Sequence, residues 1–128
     1  MSFESVIISR LENTGAISAV TNKIYSQRLP EETPFPAISM QLISETPVLT
    51  MGAPVELVQA RVQIDCYARG YAEAANLGDA VRNALHLYAS GVVEAIIFAG
   101  RRIDDDRDND VFNVSQDFIV NYNAQGTP

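Results

Sequence analysis

The run Asp104-Asp105-Asp106-Arg107-Asp108-Asn109-Asp110 is where this sequence concentrates groups able to do chemistry. Carboxylates at alternate positions ligate calcium when a loop curls them around the ion, as in an EF-hand. Such a loop requires glycine at its sixth position and a bidentate glutamate at its twelfth. Counted from Asp104, those positions hold Asn109 and Ser115. The flanking segments also read as strands rather than helices, so no metal ligands are assigned. The plainer reading is a solvated hairpin tip, with Arg101, Arg102 and Arg107 offsetting part of the mutual repulsion.

Two other reactive side chains occur once each. His86 falls beside Leu85 and Leu87, away from the apolar stripe of its helix, and reads as a surface or edge residue. Cys66 alternates onto the apolar face of a strand, where a thiol is usually inert. Nothing in the sequence joins them into a Cys–His pair. No Gly-rich phosphate loop, GxSxG elbow or HExxH motif is present. Carboxylates such as Glu73 and Asp79 are scattered. No catalytic residue and no cofactor-binding residue is therefore assigned, and the expectation is a protein that is not an enzyme.

Charge narrows the partners. Sixteen acidic residues against nine basic ones give a net charge of −7. A nucleic-acid binder needs clustered Lys and Arg to displace counterions from phosphates. Here Lys23 is the one lysine, and the adjacent pair Arg101-Arg102 runs straight into the acidic cluster. Specific nucleic-acid binding is disfavoured. The 128 residues suit one domain, 1–128, able to bury a core without staples. A single cysteine excludes an internal disulfide framework. The N-terminus lacks the pattern of a signal peptide, and no apolar run approaches the ~20 residues of a membrane span. The expectation is a soluble protein made in the cytoplasm, with no membrane partner.

The elements that must position these residues follow from periodicity. Residues 2–12 read as an amphipathic helix capped by Ser2, with Phe3, Val6, Ile7 and Leu11 on one face. A further turn is expected over 16–23, with Ile17 and Val20 pointing inward. Ile24-Tyr25-Ser26 is a brief extended piece. Pro30, Pro34 and Pro36 then exclude helix and central strand. Strands are expected over 37–44 and 57–67. In the second, Ala60, Val62, Ile64 and Cys66 share a buried face, with Gln59, Arg61, Gln63 and Asp65 opposite. A helix over 71–89 carries Ala74, Leu77, Val81, Ala84, Leu85 and Tyr88 as its stripe. Strands over 92–99 and 111–122 follow, joined around the acidic turn, and the tail 123–128 is expected to fray. In the last strand Gln116 breaks an otherwise apolar face of Phe112, Val114, Phe118, Val120 and Tyr122. The fold class is α+β: a largely antiparallel sheet of about four strands with two helices packed on one face.

Between Glu45 and Val55 lies a linker with two prolines and a glycine. Loops this long between strands are often functional. Val48, Leu49 and Met51 would form an apolar patch for a partner. The alternative is that the loop folds back and buries them on its own domain.

Three stretches, taken in order, resemble the tail-completion (tail-terminator) proteins of long-tailed bacteriophages. The first is Ile24-Tyr25 followed by Phe35-Pro36-Ala37-Ile38. The second is Ala60-Arg61-Val62-Gln63-Ile64-Asp65-Cys66-Tyr67-Ala68, running into Tyr71-Ala72-Glu73-Ala74-Ala75 and Ala80-Val81-Arg82-Asn83-Ala84-Leu85. The third joins Asp104-Asp105-Asp106 to Phe112-Asn113-Val114-Ser115-Gln116-Asp117-Phe118-Ile119-Val120. The likeness spans nearly the whole chain; the proline-rich link and the strongly acidic turn depart from it. It implies a virion protein at the head-to-tail junction, assembled in the host cytoplasm. Copies would form a ring of six that caps the tail tube and meets the head connector, with DNA passing through. It carries over no catalytic residue. Asp104, Asp105, Asp106, Asp108 and Asp110, or the polar strand face, would then line the channel. A head–tail connector or minor tail component is the neighbouring reading. A small metal-binding module and a prophage-derived adaptor are the readings from other classes.

Overall fold

A computed structural model describes residues 2–27, 29–30, 33–48, 57–107 and 110–124. Its elements in order are α1 (Phe3–Glu12), α2 (Gly15–Ser18), β1 (Ile24–Ser26), β2 (Ala37–Val48), β3 (Leu57–Ala68), α3 (Tyr71–Leu85), β4 (Val93–Asp106) and β5 (Val111–Asn123). The described strands form one sheet in the order β1-β2-β3-β5-β4.

The α+β class holds, with two corrections to the expected architecture. The sheet has five strands, because Ile24–Ser26 pairs in parallel with Ile38–Met40. The other three pairings are antiparallel. Three residues are too few to show a period, and only the tertiary pairing reveals them as a strand. There are also three helices among the described residues, since α2 is a single turn. It buries Ile17, as expected, but leaves Val20 45% exposed rather than inward.

The core lies between one sheet face and the helices. Ser2 accepts the Ser5 N–H and caps α1, whose Phe3, Val6, Ile7 and Leu11 are buried. They join Leu77, Val81 and Leu85 of α3 in one cluster with Val62, Ile64, Val114 and Phe118 of the central strands. Each such side chain, fully buried, contributes ~1.5–3 kcal/mol against exposure. Phe3 stacks on Tyr122, with ring centroids 4.4 Å apart, tying α1 to the end of β5.

Element ends differ from the periodicity reading in three places. Strand β2 runs past residue 44 to Val48, absorbing a bulge between Leu42 and Ser44 and including Pro47, which is tolerated because β1 pairs only with Ile38–Met40 and leaves this stretch of β2 on the sheet edge. Helix α3 stops at Leu85 rather than 89. His86 takes an extended conformation and Leu87 a left-handed one at φ 66°, so Tyr88 packs from a loop. Strand β4 extends well beyond 99, to Asp106.

Candidate functional site: an acidic strand beside a polar sheet face

The long β4 changes the setting of the acidic run. Asp104, Asp105 and Asp106 are strand residues lying opposite Asn113, Phe112 and Val111, not members of a turn. Only Arg107 and Asp110 among the described residues belong to the turn proper, Asp110 at φ 55°. Pairing with β5 outweighs the low strand propensity of aspartate because all three side chains remain exposed and keep their hydration. Strand geometry sends Asp104 and Asp106 to one side and Asp105 to the other. The three carboxylates therefore do not converge. Arg102 pairs with Asp104 at 3.5 Å and Arg107 with Asp105 at 3.4 Å. Among the described residues no group of three or more His, Cys, Asp or Glu is placed to hold a metal. Asp108 lies outside the described residues.

On the sheet face away from the helices, polar residues line up in register. Gln41, Gln63 and Asp117 form one row across β2, β3 and β5. Ser39, Asp65, Ser115 and Arg102 form the next. Arg61 and Asp117 pair at 3.1 Å. Alternation along β3 put Asp65 opposite the apolar residues, and it does lie there. It is only 3% exposed, however, with Ser39 and Ser115 similarly buried. Ser115 donates a short hydrogen bond to Asp65 Oδ1, and Gln63 Nε2 donates to both carboxylate oxygens at 3.1 and 3.2 Å. Tyr67, half-buried beside this row, has its phenol pushed up by burial and then by the Asp65 charge. Nothing in the spacing announced this network, since alternation assigns a face but not its coverage.

Below that row the proline link folds against the sheet. Phe35 packs on Tyr67 at 6.1 Å and Arg69 sits 5.1 Å over the Phe35 ring. A groove of about 700 Å³ remains there, bordered by Pro30, Phe35, Tyr67, Arg69 and Val111. At the other end of the sheet Val48 lies opposite Leu57, 41% exposed. Leu49 and Met51 lie outside the described residues. Val48 and Asp104 are separated by ten residues of β3, roughly 30 Å. The structure therefore keeps the two sequence-derived candidates apart.

On the helix face, Gln116 is fully buried and donates to the Gly78 carbonyl at 2.7 Å. Arg101 reaches the same helix, bonding Asp79 at 2.9 Å and the Ala75 carbonyl at 2.8 Å. Its break in the apolar alternation was the one signal that marked Gln116. Cys66 is buried on this face, its thiol pushed up to about 12 by burial and by Asp65.

The model of the family described as tail completion protein gp17 matches residues 5–123. The chain belongs to the tail completion protein gp17 family. Membership places it among the structural proteins of bacteriophage tails. No curated protein matches the chain. A solved structure titled as the virion of a native gene transfer agent particle contains a similar chain. The TM-score is 0.68 at 15% identity, covering 92% of each chain, which is a likeness of fold. No helix among the described residues is long and apolar enough to cross a membrane.

Proposed function

We propose that this tail completion protein is a non-enzymatic virion assembly protein whose 128 residues act as one domain. Copies form a ring of six that closes the tail tube and joins it to the head connector. The observation that carries this reading is the family match over residues 5–123. Val48, with Leu49 and Met51 beyond it, contacts the tube protein. Asp104, Asp105, Asp106, Asp108 and Asp110 face the channel.

The charge distribution supports this placement. A channel that passes DNA should not grip it, and fixed negative charge repels phosphate. Aspartates standing out exposed from a well-paired strand suit that task, since the strand holds them in place. Native mass spectrometry and negative-stain imaging with isolated tail tubes provide the test. Closed six-fold rings, or caps at one tube end, are expected. A monomer that ignores tubes at every concentration would remove the reading. Replacing Asp104, Asp105 and Asp106 with lysine should leave caps intact but hinder DNA ejection; normal ejection would defeat the channel assignment.

A further inference from the structure

Strand β4 is an edge strand, and an open edge invites pairing with another chain. The connection leaving α3 doubles back and covers part of it. The Leu87 N–H donates to the Ile96 carbonyl at 2.7 Å, and the Phe98 N–H donates to His86 Nδ1 at 3.1 Å. These are two of the outward-facing backbone groups of that half of β4. Farther along, the exposed charged residues Arg102, Asp104, Asp105 and Asp106 keep the edge hydrated.

We propose that His86 in its neutral form is a proton-sensitive latch closing the outer edge of β4. The backbone N–H of Phe98 can only donate, so Nδ1 must present its lone pair. Protonation gives both ring nitrogens a hydrogen, and a donor then faces a donor. Among the described residues no ion pair includes His86. Arg82 lies 4.3 Å over the Phe98 ring. Arg10 lies over the Tyr88 ring and bonds the Ala84 carbonyl at 3.0 Å. Glu94 of β4 is exposed. The last carbonyls of α3 supply only a partial negative charge. Leu87 adds a bias toward opening, because it holds φ 66° with its side chain 69% exposed. A leucine in that conformation is strained. Losing the His86 bond lets the segment relax and uncovers Phe98 N–H and Ile96 C=O for an added strand.

Amide hydrogen exchange at Phe98, followed by NMR from about pH 7.5 to about pH 5, spans the range where imidazoles titrate. After correction for intrinsic exchange, protection at Phe98 should fall by about five- to tenfold on acidification, the worth of one hydrogen bond. Protection at Ile64, in the central strand, should hold. In His86→Asn the amide oxygen takes the place of Nδ1 and does not titrate, so protection should stay high at both ends. His86→Ala should be weakly protected throughout. A wild-type profile flat in pH, the same fall in His86→Asn, or a matching fall at Ile64 would each overturn the latch.

Discussion

Gly78 shows how one missing side chain organises the helix–sheet interface. In an exposed helix, Gly→Ala gains about 1 kcal/mol. Here the added Cβ would stand 2.9 Å from Arg101 Nη2 and Gln116 Nε2 and 3.0 Å from Val114 Cγ1. Gly78→Ala is therefore expected to destabilise by roughly 1–3 kcal/mol in urea unfolding, through displacement of the buried Gln116. Ser115→Ala leaves the buried Asp65 short of a donor and should cost ~1–3 kcal/mol by the same measurement. Cys66 sets an alkaline limit. Its folded-state value of about 12 lies above the ordinary thiol value of 9.0, so burial favours the neutral thiol. That contribution is fully present below pH 9.0 and is lost as pH rises toward about 12, when the unfolded chain ionises first. The slope is about 1.4 kcal/mol per pH unit. Urea midpoints should fall above pH 9.0, and less steeply in Cys66→Ala. The raised Tyr67 phenol acts in the same direction and should leave a residual slope.

At the scale of elements, the end of α3 is held by tertiary bonds rather than by its own cap. Leu87→Gly removes the left-handed strain at an exposed position and should leave stability unchanged or raised by up to about 1 kcal/mol. A large loss on thermal unfolding would show that the side chain packs more than its exposure indicates. The elements most legible in the sequence were those with a long period. The alternation of β3 and the apolar stripe of α3 both emerged on the expected faces. What escaped were features set by distant partners. β1 is a strand only because β2 lies beside it. Asp104–Asp106 are strand because β5 pairs with them, although an acidic run next to Asn109 reads locally as a turn. The same divide holds for the candidate site. The exposure of its aspartates could be read from residue type, whereas the burial of Asp65 depends on Ser115, fifty residues away in the chain.

Taken whole, the molecule sets the exposed Val48 and the acidic stretch at Asp104 roughly 30 Å apart along the sheet. Substitutions that far apart should act independently. Val48→Asp is expected to weaken capping of tail tubes in a binding assay while changing stability by no more than about 0.5 kcal/mol. Asp104→Asn with Asp106→Asn should leave capping unchanged. The strand order carries one more consequence, for synthesis. β5 is made after every other described strand, yet it lies between β3 and β4. While the ribosome extends the chain from Ala68 to Asn123, at ~5–20 residues per second, the inner edge of β3 has no partner. β4 emerges with nothing to pair with at all. Phe3 likewise waits for Tyr122. The sheet therefore closes only after translation has delivered β5, and for several seconds each nascent chain offers a bare apolar strand to chaperones or to its neighbours on the same message.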